Sequence, residues 1–273
     1  MIRIGKMNTN SCFTTSKLPG IDYVINPYVG CPHKCIYCYA EFMKRFTRHK
    51  EVWGDFLDVK IYNKSFNFDK LKETDNVLIG SVTDAYNFYE SKYKNTQNIL
   101  KNLVNCKASI EILTKSDLVL RDIELLKQLK KIRVGISMNT LDDNFRKLIE
   151  PRASSVEKRI NTLEKLKAEK ISVHLFMSPI FPHITNFKVI INRLKSVVDY
   201  FGFENLNLRA AYLPRVLNFI KSNFPDLSDS YRKIYISKDN SYWETLEKKI
   251  VKFCEENKVS YKMYFHHDKI KKR

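Results

Sequence analysis

Short apolar runs alternate with helical segments six times along residues 21–210, and this alternation most constrains the fold of the chain. Each run has the length of a β-strand, and each is followed by a stretch with helical character. The predicted strands cover residues 21–25, 77–80, 109–114, 132–138, 171–177 and 206–210. Because helical crossovers join parallel strands, this order predicts an α/β fold built on a parallel sheet.

The other predicted elements surround this frame. Helices are expected at 39–48, 68–73, 92–105, 122–131, 154–170, 186–200, 213–223 and 242–256, with short strands at 57–62 and 261–265. Residues 139–150 are predicted to form a loop. We expect a core domain over residues 1–210, and C-terminal helices with a possible strand over 211–273 that pack on the core or close it.

Three cysteines, Cys31, Cys35 and Cys38, have the spacing C-x3-C-x2-C directly after the first predicted strand. Thiolates grouped in one short loop usually hold zinc or an iron–sulfur cluster. A [4Fe–4S] cluster needs a ligand on each of its four irons, so three cysteines leave one iron open to another ligand.

A structural zinc loop is the alternative interpretation, and it would need a fourth ligand. His33 is badly spaced for that role. The remaining cysteines are distant candidates, and they are Cys12, Cys106 and Cys254.

The segment around the three cysteines resembles the spore photoproduct lyase-like group of radical S-adenosylmethionine (SAM) enzymes. The resemblance lies in NPY at 26–28, GCPH at 30–33 and CIYCYA at 35–40. It implies an open, partial (β/α)6 TIM-type barrel as the core. It also implies a [4Fe–4S] cluster on Cys31, Cys35 and Cys38, whose open iron chelates SAM. Reductive cleavage of SAM would then give a 5′-deoxyadenosyl radical that abstracts hydrogen from a substrate.

The resemblance further implies that SAM-contacting residues lie at the carboxyl ends of successive strands, where parallel barrels carry their chemistry. The end of the second strand would accept from the SAM amino group, and the end of the third would pair with its carboxylate. The fourth and fifth strand ends would contact the ribose and the adenine. The implied contacts are Ser81, Thr83, Asp84, Lys115, Ser137, Asn139 and Met177. Tyr37 is the candidate catalytic residue, because the equivalent tyrosine of the lyase lies near SAM.

One position departs from the lyase. The lyase uses a cysteine as hydrogen-atom donor at the end of the second strand, and this position falls at or next to Ser81. A serine O–H is a much poorer hydrogen-atom donor than a thiol, which counts against thymine-dimer repair. Cys106 precedes the third strand at its opposite end, so we do not expect it to substitute.

Two further groups of residues are candidates for the site. The motif Glu150-Pro151-Arg152 recurs in the family, and Arg152 is expected to hold Glu150 or to contact substrate. The residues suggested for the substrate side are Tyr86, Phe88, Tyr89 and Arg209.

The formal net charge of +18 can attract an anionic partner. The lysines are spread over many predicted helices, so the charge alone is weak evidence. Together with the resemblance to the lyase group, it slightly favours a nucleic-acid substrate over a peptide or protein. An external one-electron reductant is implied by the radical chemistry. The sequence shows no signal-peptide core and no run of about 20 apolar residues. We therefore expect a cytoplasmic protein with no membrane partner.

The rival hypothesis is a non-catalytic zinc or iron–sulfur module that binds nucleic acid. Such a module has no reason to place Lys115, Ser137 and the polar end of the second strand together at the mouth of a barrel.

Overall fold

The computed structural model describes residues 1–63, 66–209 and 211–265. The strands in this part are β1 (Arg3–Thr9), β2 (Phe13–Thr15), β3 (Tyr23–Ile25), β4 (Tyr28–Val29), β5 (Phe56–Tyr62), β6 (Asn76–Ile79), β7 (Ser109–Thr114), β8 (Ile132–Ser137), β9 (Ser172–Ile180), β10 (Tyr200–Asn205) and β11 (Tyr261–Met263). The α-helices are α1 (Glu90–Tyr93), α2 (Asn95–Leu103), α3 (Ile123–Leu126), α4 (Asp143–Ile149), α5 (Val156–Ala168), α6 (Phe187–Leu194), α7 (Tyr212–Asn223), α8 (Ser228–Tyr235) and α9 (Ser241–Glu256). Short 3₁₀ segments cover Tyr39–Phe46, Asp117–Asp122 and Pro225–Leu227.

The main sheet has the strand order β11-β10-β9-β8-β7-β6-β3-β2. The six strands from β3 to β10 in this order pair in parallel, and β11 joins the same edge in parallel. The short strand β2 pairs antiparallel with β3 at the other edge. Within the described part of the chain the two edge strands do not meet, so the barrel is open. The predicted partial (β/α)6 architecture is confirmed.

Pairing register distinguishes the two faces of this sheet, because residues opposite each other on neighbouring strands point to the same side. Ile112, Val134 and Val173 are paired in sequence across β7, β8 and β9, and all three are fully buried under the helices. The alternate residues form the inner face of the half barrel. Gly135 and His174 are paired on that face.

A second, three-stranded sheet has the order β1-β5-β4. Tyr28, Leu57 and Val59 form its own small buried cluster. The sheet brings Phe56, at the start of β5, against the loop that carries the three cysteines.

The C-terminal segment packs on the same core as the barrel strands. Trp243, Ile250 and Cys254 of α9 belong to the main buried cluster, and Tyr261 of β11 pairs with Phe201. The proposed division at residue 210 stays a prediction.

No helix among the described residues has both the length and the apolar character needed to cross a bilayer.

The sixth strand was predicted at 206–210, and this placement is wrong, since β10 covers Tyr200–Asn205 and α6 already ends at Leu194. The run YFGFEN contains Gly202, which weakens the strand signal, whereas alternating leucines at 206 and 208 imitate a strand. Gly202 is required here because a Cβ would lie 2.6 Å from the ring of Phe176. Ala210 lies outside the described residues.

Other helix predictions differ in their limits. The helix expected at 68–73 is absent, and side chains instead cap turns there, as when Asp75 accepts a hydrogen bond from the amide of Lys72. The helix expected at 92–105 is divided at Lys94, which has φ of 51°. The loop expected at 139–150 contains α4, whose first amides are capped by Asp142. The helix expected at 122–131 is α only over Ile123–Leu126.

Candidate active site

The three cysteines lie on two consecutive tight turns after β4. The amide of Lys34 donates to the carbonyl of Cys31 at 3.4 Å, and the amide of Cys38 donates to that of Cys35 at 3.2 Å. Pro32 occupies the second position of the first turn, which its fixed φ favours. The two turns keep the three half-buried thiols on one short loop.

Burial raises the pKa of all three thiols, to about 12 for Cys31 and well above the ordinary range for Cys35. The next contributions for Cys31 are the negative charges of Asp84 and Cys38. Free thiols in this loop are therefore protonated at neutral pH, and metal binding would release their protons.

Gly30 lets the loop approach the second sheet. Its φ is 88°, and a Cβ would lie 2.5 Å from the backbone carbonyl oxygen of Phe56. A side chain at this position would push the loop off its support.

The segment Trp53–Asp55 holds the loop from outside. The indole Nε1–H of Trp53 donates to Sγ of Cys38 at 3.2 Å, and Nζ of Lys34 lies 2.6 Å from the carboxylate of Asp55. Gly54 has φ of 98° and leaves no room for a Cβ, which would meet Lys34 at 2.7 Å. All three residues of the segment thus contact the loop.

Arg152 braces the same region and does not contact Glu150. Its guanidinium donates to the carbonyl of Gly54 at 2.9 Å and lies 3.2 Å from a carboxylate oxygen of Asp55. The suggested role of holding Glu150 belongs instead to Arg159, which forms a buried ion pair with it.

Tyr37 lies in the centre of a buried polar group. Its hydroxyl donates to the carboxylate of Glu150, and Arg159 also donates to the carbonyl of Ser137 at 2.9 Å. Burial alone would raise the pKa of Glu150, but the positive charges of Arg159 and Lys115 outweigh it and lower that pKa. The group connects the cysteine loop to the end of β8.

Lys115 and Ser137, both predicted SAM contacts, are brought together at the carboxyl ends of β7 and β8. Nζ of Lys115 donates to Oγ of Ser137 at 3.0 Å and lies 5.9 Å from the ring centroid of Tyr37. Burial acts to lower the pKa of Lys115, and nearby negative charge, chiefly that of Glu150, outweighs it and raises the pKa. Among the described residues this half-buried ammonium has no carboxylate within ion-pair distance.

Asn139 follows β8 by two residues, and its side chain is 1% exposed. Neither the amide oxygen nor the amide nitrogen has a hydrogen-bond partner in the described part of the protein. Burying an amide without partners costs on the order of 1–3 kcal/mol. A polar ligand at this position would recover the lost hydrogen bonds.

Thr83 and Asp84 join the end of β6 to its neighbours. Oγ1 of Thr83 donates to the carbonyl of Gly30 at 2.6 Å. The Asp84 carboxylate accepts from the hydroxyl of Thr114 at 2.6 Å and from the amide of Lys115 at 2.7 Å. It also accepts from the amide of Tyr86. A ligand ammonium would have to share these oxygens.

His33, set aside as a zinc ligand, also turns toward Asp84. Its Nδ1 lies 3.3 Å from a carboxylate oxygen, without the alignment of a hydrogen bond. Burial lowers the pKa of His33, so the ring is neutral at pH 7.

Ser81 lies at the start of the loop after β6. Its hydroxyl exchanges hydrogen bonds with the side chain of Asn26, and its carbonyl accepts from the hydroxyl of Tyr39. The position is half-buried and faces the cysteine loop through Tyr39.

Met177 does not join this group. It pairs with Phe203 on the helix-covered face of the sheet and is fully buried in the main core. Ser137 pairs with Phe176, which is on the opposite face. Strand alternation therefore separates the side chain of Met177 from Lys115 and Ser137.

Most residues suggested for the substrate side have structural contacts instead. Tyr86 is fully buried and donates to Asp122 at 3.1 Å. Phe88 is 43% exposed and packs against Tyr89. Arg209 donates to the side chain of Asn207 at 3.1 Å.

The other cysteines lie elsewhere. All three are packed in the main core, where Cys12 lies beside Tyr62, and they are Cys12, Cys106 and Cys254. No three His, Cys, Asp or Glu side chains within 1–63, 66–209 and 211–265 are gathered as ligands of one metal ion.

Sequence reasoning missed three residues that position the cysteine loop. These residues are Trp53, Arg159 and Arg215. Nε of Arg215, in α7, donates to the carbonyl of Ile36 at 2.8 Å, and its guanidinium pairs with Glu41. Of the three, only Trp53 could have been identified from the sequence, because it is one of two tryptophans and precedes a glycine near the loop.

Comparison with known proteins gives three findings. Residues 25–190 match the family model of the Radical SAM superfamily. An uncharacterized protein of Methanocaldococcus jannaschii is 38% identical over 231 residues, which cover 82% of this chain and 85% of the relative. A structure of spore photoproduct lyase complexed with dinucleoside spore photoproduct aligns with a TM-score of 0.68. That alignment has 17% identity and covers 96% of this chain and 81% of the lyase.

A mutant of the same lyase with bound AdoMet and dinucleoside spore photoproduct aligns with a TM-score of 0.58 and 16% identity. It covers 81% of this chain and 66% of the lyase chain. At these identities the lyase structures show a shared fold, while the family model covers more than half of this chain. The chain belongs to the radical SAM superfamily and is a radical SAM enzyme, which implies SAM and a [4Fe–4S] cluster as its cofactors.

Proposed function

We propose that the protein binds a [4Fe–4S] cluster on Cys31, Cys35 and Cys38, and SAM at the carboxyl ends of β7 and β8. When bound, these cofactors supply a one-electron cleavage of SAM to methionine and a 5′-deoxyadenosyl radical, which removes hydrogen from a substrate. The observation that carries the proposal is a half-buried ammonium, Lys115, that lacks an anionic partner among the described residues and lies beside the cysteine loop.

The residues fit both groups. Three half-buried thiols on one short loop provide the cysteine donors of such a cluster. Charged groups inside proteins are normally paired, so Lys115 fits the carboxylate of SAM. The unpaired amide of Asn139 fits a polar group of the same ligand, such as its ribose.

The chain's own residues would orient SAM rather than move protons. Ser137 fixes the ammonium of Lys115, and its hydroxyl also donates to the carbonyl of Ser178 at 3.1 Å. Tyr37 is held by Glu150 beside the cation, so it would position the ligand next to the loop. Met177 would contribute only backbone at this site.

A nucleic-acid substrate is the class we favour. The net charge is +18, and the structurally similar lyase is complexed with dinucleoside spore photoproduct. The chain also has a basic–aromatic strip beside the cysteine loop, which consists of Phe42, Arg45, Phe46, Arg48 and Lys50. The guanidinium of Arg45 lies 5.5 Å from the Phe42 ring centroid and 4.6 Å from that of Phe46. Exposed rings and unpaired cations are features of surfaces that bind single strands.

The lyase's own repair reaction is not part of the proposal. Ser81 is at or next to the position of the donor thiol, and its hydroxyl is bonded to Asn26. A peptide or protein substrate is the second candidate, and binding of a single-stranded oligonucleotide distinguishes the two.

The central experiment measures 5′-deoxyadenosine. The protein is reconstituted anaerobically with iron and sulfide, given SAM and reduced with dithionite. We expect product from the wild type and none from Cys35→Ala. Cys106→Ala is the matched control, because it removes a buried thiol outside the loop and should retain the product. Wild-type protein without iron, or a Cys35→Ala variant with full product, contradicts the proposal.

A further inference from the structure

We propose that Trp53 is a positioning residue that sets the reduction potential of the cluster through an N–H···S hydrogen bond to Cys38. This inference rests on the proposed cluster and adds a residue that the cysteine motif does not contain. The indole Nε1 lies 3.2 Å from Sγ of Cys38.

Among the residues that the structure describes, this hydrogen bond is the sole polar contact of the buried Trp53 side chain. Trp53 is 3% exposed and packs among apolar groups that include Ala40, Met43 and Phe56. An indole N–H is a donor without acceptor capacity, and a buried one is normally paired. Among the described residues Nε1 has no acceptor other than this sulfur. The hydrogen bond to Cys38 is therefore the polar interaction that orients the ring.

The neighbours of Trp53 fix its position from both sides. Its ring meets that of Phe56 edge-on at 5.6 Å between centroids. Gly54 and Asp55 are fastened to Lys34 of the loop, and Arg152 donates to the carbonyl of Gly54. The backbone at Trp53 therefore cannot move away without detaching a segment that also holds the loop.

The chemical effect follows from charge. An N–H directed at a thiolate stabilises negative charge on that sulfur. Reduction adds one electron from the donor to the cluster, moves no proton and breaks no bond at Cys38. The hydrogen bond therefore favours the reduced cluster, and the potentials of such clusters depend on hydrogen bonds to their sulfurs. Loss of the N–H makes the midpoint potential more negative.

The test is a redox titration of Trp53→Phe, in which the EPR signal of the reduced cluster is the readout. Phenylalanine keeps an aromatic ring and removes the donor. Trp243→Phe is the matched control, because Trp243 is the other tryptophan, is also 3% exposed and packs against Tyr242 and Phe265. We expect a negative shift for Trp53→Phe and none for Trp243→Phe.

A second measurement does not require the Trp53 variant to assemble a cluster. Trp243→Phe leaves Trp53 as the single indole, and its fluorescence should be strongly quenched when the cluster forms, because quenching falls steeply with distance. This measurement tests whether Trp53 lies next to the cluster, in a protein whose cysteine loop is intact.

The outcomes separate the two proposals. Wild-type protein that assembles no cluster overturns the proposed function and this inference with it. A wild type with a cluster, whose potential equals that of Trp53→Phe, overturns the role of Trp53 alone. Unquenched fluorescence of Trp53 in the loaded Trp243→Phe protein also overturns it.

Discussion

At the scale of single residues, the site is marked by two side chains with incomplete partners. Lys115 has a hydroxyl partner but no carboxylate, and Asn139 has neither donor nor acceptor within the described chain. The unpaired amide of Asn139 is destabilising on its own, and both side chains have capacity left for a ligand.

Substituting Lys115 separates its role in binding from a role in folding. Lys115→Met keeps the length of the side chain and removes the charge, so we expect the dissociation constant of SAM to rise about tenfold to 100-fold, from loss of a charge-assisted hydrogen bond. Titration calorimetry on the loaded protein measures this. Lys127→Met removes a lysine that pairs on the surface with Glu124 and Glu169, and it should leave the affinity unchanged. Equal affinities for all three proteins would rule out the assignment of Lys115.

Asn139→Ala should leave the stability of the fold unchanged and weaken the binding of SAM. The variant loses no hydrogen bond of the free protein, so its free energy of unfolding should stay within about 1 kcal/mol of the wild type. Its affinity for SAM should fall, because the ligand would lose the amide. Urea unfolding and calorimetry give the two values. Large destabilisation with unchanged affinity would show that the amide serves the fold instead.

At the scale of elements, the strand ends are positioned by a buried polar group that spans four segments. Glu150 follows α4, Tyr37 is in the cysteine loop, Arg159 is in α5, and the carbonyl of Ser137 ends β8. A buried ion pair of this kind is weak evidence for stability, but removing one member leaves an uncompensated charge. The group therefore fixes the loop relative to the sheet.

His174 of β9 should make stability depend on pH. Its ring is 2% exposed and stacks on Tyr200 at 4.6 Å. Burial, with the charges of Arg133 and Lys262, lowers its pKa to about 3 from the ordinary 6.5. The unfolded chain takes up a proton near pH 6.5 and the folded chain does not until about pH 3. Acidification through this window therefore favours unfolding, by at most about 1.4 kcal/mol per pH unit.

The variant His174→Phe keeps a ring against Tyr200 and removes the titration. Urea unfolding at pH 7, 6 and 5 should show a smaller loss of stability in the variant than in the wild type. The same slope in both proteins would assign the effect to other groups.

The elements were predictable from sequence where one pattern dominated. The predicted strand at 109–114 coincides with β7, because buried isoleucines and a threonine alternate with half-exposed residues. Helix α4 was not predictable from its short apolar pattern, since its start depends on capping by Asp142. Within the site, Lys115 and Ser137 follow from strand order, whereas Arg159 and Arg215 depend on tertiary contacts that no local spacing encodes. The contact of Met177 with SAM was predicted from its place at a strand end. That place alone does not determine which face of the sheet the side chain occupies.

At the scale of the whole molecule, the excess of positive charge is most informative where exposed cations have no acidic partner. The three cations of the basic–aromatic strip are Arg45, Arg48 and Lys50, and none of them has an acidic partner among the described residues. Other cations are engaged in ion pairs, such as that of Lys131 with Glu73. The strip differs from isolated surface lysines because its cations lie beside the exposed rings of Phe42 and Phe46.

Arg45→Ala combined with Phe46→Ala should weaken binding of a single-stranded oligonucleotide about tenfold, through loss of one cation and one stacking ring. The slope of log affinity against log salt should fall by about one. Fluorescence anisotropy after nuclease treatment measures both. The matched double variant of Arg232 and Ile236 removes an exposed arginine and an exposed apolar residue of α8 and its end. Equal weakening in both variants would indicate general charge attraction.

The contact between Arg215 and the cysteine loop has a consequence for the order of events during synthesis. Arg215 follows Ile36 by 179 positions, so the ribosome makes it roughly 10 to 40 s after the loop. During that interval the loop lacks its brace from α7. We therefore expect the loop to hold a metal centre less firmly until α7 has been made and has packed against it. Arg215→Ala should then release iron to a chelator faster than the wild type, and Arg193→Ala, which alters a surface pair with Glu164, should not. The helix that fastens the loop would thus be the part of the chain that retains the centre once it is bound.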